Sequence, residues 1–272
     1  ICHLGFAPDC GDADRKRLAG ALVARLVDFA ERRRIGMIAV KDASGADDAL
    51  WSSVCGAAGL RRMPGQATAL LDVRFRSLDD YLASLGPSTR RDMRRKLRAR
   101  AAVRIEWRTE IDDVLDRIMT LYRETLAKAE HTLEELTPAY FAGVMRDPRR
   151  RALCATYWLD ETLIGFNLVL RNRLTLLDKF FGMDYAAGRE HSLYYLSWME
   201  NVRYCIEHGL ARYQSGQGLE REKLRLGSRL APNWLWYRHR NRVVDRVFAA
   251  FEHAFQFEAA PDRNDLPPAV NA

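Results

Sequence analysis

The sequence has no closely spaced cysteine pair, no long apolar run and little lysine, and each lack excludes something. Its five cysteines, Cys2, Cys10, Cys55, Cys154 and Cys205, are odd in number and scattered. That excludes a disulfide framework or a cysteine-rich metal centre and favours a reducing, cytoplasmic setting. The longest uncharged apolar stretches, residues 152–159 and 162–170, fall short of the roughly 18 residues a membrane-spanning helix needs. The start, Ile1-Cys2-His3-Leu4 followed by Asp9, Asp12 and Asp14, lacks the basic-then-apolar order of a secretory signal. The six histidines contain no H-x-x-x-H spacing, so no metal site is expected.

What is present is the composition of an ordinary globular chain: 272 residues, 48% hydrophobic, 10% aromatic and 29% charged, enough for one large or two small domains. Only six of the 43 basic residues are lysine, so arginine is a general preference here and each arginine must be discounted accordingly. Position is more informative than number. Residues 88–108 hold nine bases and two acids, which equals the net charge of +7 for the whole chain. Within that window Arg90, Arg91, Arg94, Arg95, Lys96, Arg98 and Arg100 surround Met93, Leu97 and Ala101, spaced i, i+4, i+8 as on one face of a docked helix. Such a helix is either a solvated face or the contact for an anionic partner, with Arg94, Arg95 and Arg98 as the polyanion-binding candidates.

Hydrophobic periodicity organises the rest. Residues 14–34 read as an amphipathic helix whose apolar positions Leu18, Leu22, Leu26 and Phe29 recur near period 3.6. A strand at 35–40, a helix at 47–58 and a strand at 67–75 follow, so residues 1–75 make half a domain. Residues 76–101 form a helical connector broken at Gly86-Pro87. From 102 to 260 the pattern is a strand at 103–108, helices at 111–128 and 138–145, and three strands in series at 152–159, 163–170 and 174–183. A long helix follows, with Tyr195, Trp198, Met199, Val202, Cys205 and Ile206 on one face, then a strand at 211–215, a short helix at 221–226, a strand at 234–239 and a helix at 243–257. Residues 261–272 have no periodicity and are expected to be a disordered tail.

Several segments sharpen this order: Tyr81-Leu82-x-x-Leu85, the run Arg90-Arg91-Asp92-Met93-Arg94-Arg95-Lys96-Leu97-Arg98, Gly165, Gly182-Met183-Asp184, and Gly216-x-Gly218-x-x-x-x-Lys223-x-x-x-Gly227. Together they resemble the bacterial GNAT-like family that groups with Fem-type aminoacyltransferases of peptidoglycan synthesis and acetyltransferase-like proteins of polysaccharide gene clusters. The resemblance implies an α/β (α+β) fold, a mixed, mainly antiparallel GNAT-like sheet flanked by helices and preceded by a partial, degenerate GNAT-like half. It also implies an acyl or aminoacyl donor, acyl-CoA or an aminoacyl-tRNA, and an amine acceptor. The sequence departs from ordinary GNAT enzymes at the pyrophosphate loop R-x-x-G-x-G. Here that segment runs from Arg189 to Tyr194, with Ser192 and Tyr194 in place of the glycines that let backbone amides reach a phosphate.

Two residues stand out for chemistry. Asp178 lies mid-strand in an apolar run, where a charge is rarely buried unpaired, and is the candidate base or amine anchor, against a structural ion pair. By strand alternation its neighbour Lys179 is expected on the opposite face. Lys223 matches a lysine of Fem-like sequences and is the candidate for charge stabilisation, against a plain surface lysine. The resemblance makes Ser215, Gly216, Gln217 and Gly218, with Arg189, Ser192, Tyr194 and Arg225, the donor-binding set. Asp184 and Glu200 rank lower. The function expected is N-acyl transfer to an amine on a sugar, peptide or small metabolite. The alternatives are aminoacyl-tRNA-dependent transfer, or a non-catalytic module that binds RNA or a partner through the basic helix.

Overall fold

The computed structural model describes residues 4–128, 135–149 and 151–250. By compactness the chain divides into a smaller unit, Ile1–Thr68 with Leu230–Ala272, and a larger one, Ala69–Arg229. The smaller unit opens with α1 (Asp12–Arg32), β1 (Met37–Ser44), α2 (Asp48–Ala57) and β2 (Arg61–Pro64). The larger holds β3 (Thr68–Asp72, which straddles the limit), α3 (Leu78–Ser84), α4 (Pro87–Lys96, continued by a tight turn, Leu97–Ala101) and β4 (Arg104–Arg108). It continues with α5 (Leu115–Leu126), α6 (Pro138–Arg146), β5 (Ala152–Leu159), β6 (Thr162–Arg171), β7 (Thr175–Met183), α7 (Tyr185–Glu190), α8 (Leu193–Glu207), β8 (Arg212–Gly216), α9 (Glu220–Arg225) and β9 (Arg229–Ala231, which straddles the other limit). Finally β10 (Asn233–His239) and α10 (Arg242–Ala250) belong to the smaller unit.

The smaller unit is a three-stranded antiparallel sheet, order β1-β10-β2, with Val40 opposite Trp236 and Met63 opposite Leu235. Its core gathers Ala19, Val23 and Val27 of α1, Trp51, Val54 and Cys55 of α2, and Val40 and Trp236 of the sheet. Two expectations are corrected here. The strand at 234–239 pairs with β1 and β2 rather than closing the larger sheet. The buried face of α1 is Ala19, Val23, Val27 and Ala30, while Leu18, Leu22, Leu26 and Phe29 are exposed. Small side chains bring the helix axis close to its support, and each buried residue follows an exposed one in sequence, so the two stripes are offset by about 100°. The expected tail, and the expected last helix beyond Ala250, lie outside the described residues.

The larger unit is built on a seven-stranded sheet, order β4-β5-β6-β7-β8-β3-β9. β4 to β7 form an antiparallel series in which Trp107 faces Ala155, Thr156 faces Phe166 and Phe166 faces Gly182. Alternation along β6 assigns the two faces. Phe166 and Leu168 pack with Ile118 and Leu121 of α5 and Phe141 of α6, and Val169 packs with Trp198 and Val202 of α8, Tyr81 of α3 and Met93 of α4. Two glycines allow this closeness: a Cβ on Gly165 would collide with the Leu193 side chain of α8, and one on Gly182 with the Phe166 ring.

Candidate functional site

The site begins where the sheet fails to zip. β7 and β8 run parallel and pair only from Thr175 to Leu177 against Arg212 to Gln214. Beyond that point the register of β7 against β6 skips Lys179, a bulge that bends the strand away. β8 turns to its other neighbour, β3, with which it pairs antiparallel from Asp72 to Ala69. A wedge opens between the fourth and fifth strands of this unit, with Asp178 on one wall and Ser215 and Gly216 on the other. The strands separate gradually, for a Cβ on Gly216 would still stand 3.9 Å from the Asp178 carbonyl oxygen. The extra residue breaks the period of two: Asp178 stands opposite Val169, Phe180 stands opposite Leu168 on the other face, and Lys179 between them is exposed.

Asp178 is held by neutral donors rather than an ion pair. The Asn167 amide donates to its Oδ1 at 2.6 Å, and the Tyr213 hydroxyl to its Oδ2 at 2.9 Å. Asn201 of α8 donates to Asn167 Oδ1 at 2.8 Å and to the Tyr213 hydroxyl oxygen at 3.0 Å, which links the two supports. Burial raises the Asp178 carboxyl above its ordinary range, opposed by these hydrogen bonds and by the charge of Lys223. Asn167 and Asn201 are fully buried, and the Oδ1 of Asn201 has no partner among the described residues. Asn167, Asn201 and Tyr213 were not among the residues expected from the sequence. The one available signal was a lone amide inside the apolar run of β6, since a buried amide needs partners.

Lys223 is no surface residue: it is 5% exposed. The short helix α9 carries its ammonium back onto the preceding loop, where it donates to the Ser215 carbonyl at 2.7 Å and the Gln217 carbonyl at 3.0 Å. The loop can fold under the lysine because Gly216 and Gly218 have φ of 74° and 73°, the left-handed region that favours glycine. Burial pulls the Lys223 ammonium down to about 8, opposed by the charges of Asp178 and Glu220. The wedge therefore carries two partly desolvated, opposite charges that influence one another, and the proton balance of each is displaced toward neutral pH.

The remaining expected residues distribute around this pair. Ser192 begins α8 in the left-handed region, φ 54°, and its carbonyl accepts from the Tyr195 and Leu196 amides. Leu193 is fully buried and anchors the head of that helix in the notch left by Gly165. The Tyr194 hydroxyl is buried without a partner among the described residues, as is the Ser215 hydroxyl. Burial raises the Tyr194 phenol, with Asp178 and Glu222 adding to the effect. Arg189 is exposed at the end of α7. Arg225 points away from the loop, to Glu222 at 2.6 Å and Asp92 of α4 at 3.2 Å. Asp92 also takes Arg95 at 2.7 Å and Lys96 at 3.0 Å; against the upward push of burial, these partners hold its carboxyl down to about 2. Arg94 and Arg98 are exposed, and with Arg90, Arg91 and Arg95 they line a shallow groove of about 680 Å³ along α4. Asp184 caps α7 and Glu200 pairs with Arg100, so neither of these weaker candidates joins the wedge.

A mixed sheet with its fourth and fifth strands splayed beside a long helix defines an acyltransferase of the GNAT type. Residues 87–224, just over half the chain, match the acetyltransferase (GNAT) domain family, and the chain belongs to that family. No curated protein matches the sequence. Among solved structures the chain is similar to FemX (12% identity, TM-score 0.61, covering 91% of this chain and 81% of that one). It is also similar to L-PGS from Bacillus licheniformis (13%, 0.59, 85% and 77%) and to a tandem GNAT protein from the clavulanic acid biosynthesis pathway (18%, 0.53, 80% and 69%). At such identities the likeness concerns the fold.

Proposed function

We propose that this chain is an N-acyltransferase that takes an acyl group, from acyl-CoA or an aminoacyl donor, to an amine on a sugar, peptide or small metabolite. The observation that carries the reading is the buried Lys223 ammonium beside Asp178 at the open end of the β7/β8 wedge. The donor carbonyl lies in the wedge, and the acceptor amine attacks its carbon. The bond to the leaving sulfur or oxygen breaks, the amine loses a proton, and the leaving group takes one up. Lys223 offsets the negative charge on the oxygen as the tetrahedral species forms, and Asp178 holds or receives the proton of the acceptor ammonium. Setting the two reactants side by side accounts for much of the rate. A buried thiol does not compete as nucleophile, since burial pushes Cys154 and Cys205 each up to about 12.

The test is a fluorescence titration with acetyl-CoA and, separately, with aminoacyl-tRNA, using Trp198, whose ring lies 5.0 Å from Tyr213, as reporter. Saturable binding of one donor that Lys223→Met weakens is expected; binding of neither donor overturns the reading. One observation favours a second reading in which the donor is an aminoacyl-tRNA: the arginine-lined groove on α4 offers phosphate contacts, while side chains replace glycines at the head of α8.

A further inference from the structure

The larger apolar side chains of α1 point outward. Its four small core residues are covered, yet Leu18, Leu22, Leu26 and Phe29 are 47%, 55%, 38% and 48% exposed, a stripe at i, i+4, i+8 and i+11. On a helix of 21 residues, about 31 Å long, this stripe covers about 17 Å, a little over half the length. Four leucine and phenylalanine side chains aligned and half open to water form a contiguous patch rather than the scattered exposure normal on a surface.

The charges beside the stripe say what covers it. One helical turn from its members, at i±3 or i±4, stand Arg15, Arg25, Arg32 and Arg33, and the acid so placed is Asp14, which is already paired with Arg17 at 3.1 Å. Arg25 and Arg32 are exposed and in no ion pair among the described residues. An antiparallel second copy packed on the same stripe would set Arg15 of one chain against Arg32 and Arg33 of the other and bring the two Arg25 side chains together at the centre. Like charge therefore opposes self-association. A surface that is apolar beneath and anionic above meets both demands, because leucine and phenylalanine enter the acyl boundary while guanidinium groups stay among headgroup phosphates.

We infer that α1 is a membrane-surface helix that docks the protein on anionic phospholipid, lying in the plane of the bilayer with Leu18, Leu22, Leu26 and Phe29 inserted. No helix among the described residues is long and apolar enough to cross a membrane, and the contact inferred for α1 lies along the surface. It is independent of the transfer chemistry assigned above, which uses none of these residues.

Co-sedimentation of the full chain with phosphatidylglycerol-containing vesicles and with pure phosphatidylcholine vesicles tests this. Binding to the anionic vesicles and little to the neutral ones is expected. Leu22→Ala/Leu26→Ala, at exposed positions of a helix where alanine is well tolerated, should lower the partition coefficient about tenfold for each leucine. Arg25→Gln/Arg32→Gln should lower it about fivefold for each arginine and reduce its dependence on phosphatidylglycerol content. An unchanged melting profile for both variants separates a docking defect from a folding defect. Vesicle binding that survives Leu22→Ala/Leu26→Ala would move the contact to other basic residues, such as those of α4, and overturn the assignment. Absence of vesicle binding, with a concentration-dependent dimer in sedimentation velocity that the same variant abolishes, would give the stripe to a second copy instead.

Discussion

The two compact units bury different things. The larger one encloses Asn167, Asn201, Lys223 and the carboxylate of Asp178 around a gap in its sheet, whereas the core of the smaller one is Val, Ala, Leu, Cys and Trp, with Thr68 and Asn233 as a buried polar pair. Desolvating an amide or a charge costs free energy, so a chain that does so repeatedly in one place, and displaces the proton balance of two groups there, marks that place for chemistry. The smaller unit has its departure from the rule on the outside instead, in the apolar stripe of α1. The contrast sets a buried polar cluster in one unit against an exposed apolar stripe in the other.

The sharpest way to break the contrast is Lys223→Met, which keeps most of the bulk and removes the charge. If the lysine offsets the developing oxyanion, turnover falls roughly a hundred- to a thousandfold, about 2.7 to 4 kcal/mol. Turnover within a factor of a few in a steady-state assay would reduce Lys223 to a brace for the loop carbonyls. Packing in the same unit is tested by Gly182→Ala: the new methyl would meet the Phe166 ring and the backbone of Leu121, and a loss of about 1 to 3 kcal/mol in urea unfolding is expected.

A pH profile sharpens the comparison further. Lys223 is ammonium below about 8 and loses its proton as pH rises through that value, so the rate should show an alkaline decline centred there. Asp178 raises the Lys223 value, and Asp178→Asn should therefore shift that decline to lower pH. The sign for stability is opposite to that for activity. Between about 8 and the ordinary lysine value of 10.5 the unfolded chain binds the extra proton, so conformational stability rises with pH in that window and the rise is missing in Lys223→Met. The smallest effect concerns α4. Arg94→Gln/Arg98→Gln should flatten the dependence of log affinity for tRNA on log salt by roughly 0.7 to 0.9 for each phosphate that is no longer neutralised. An unchanged slope would leave those arginines solvated.

Much of the fold was legible because periodicity reports local conformation directly. The strand at 152–159 is β5 to the residue, and the face of α8 with Trp198, Met199 and Val202 is buried as its spacing requires. What periodicity does not report is the partner. Trp234 and Trp236 announce a strand, but nothing in their alternation says that the strand pairs with residues near 40 and 63. On α1 two stripes share one period and differ by a single step; side-chain size pointed to the leucines, while close packing selected alanine and valine. At the wedge, Asp178 was visible as a charge in an apolar strand, and Lys223 through the resemblance to Fem-like sequences. Asn167 and Asn201 were not, because one amide in an apolar segment carries no sign of another 34 residues away.

The central strand of the smaller sheet, β10, comes from the far end of the chain, with the whole of Ala69–Arg229 intervening. During synthesis β1 and β2 must wait for a strand made last, and closing so long a loop through unstructured chain is slow. The larger unit removes that obstacle. Its last residue, Arg229, ion-pairs with Asp72 at 3.3 Å, three positions past its first, so the two ends emerge side by side once it has folded. A loop of 161 residues is then replaced by one of a few, which lowers the closure cost by about 3 kcal/mol. Were the larger unit to fold before the smaller, its folding would deliver β10 to the sheet that lacks it.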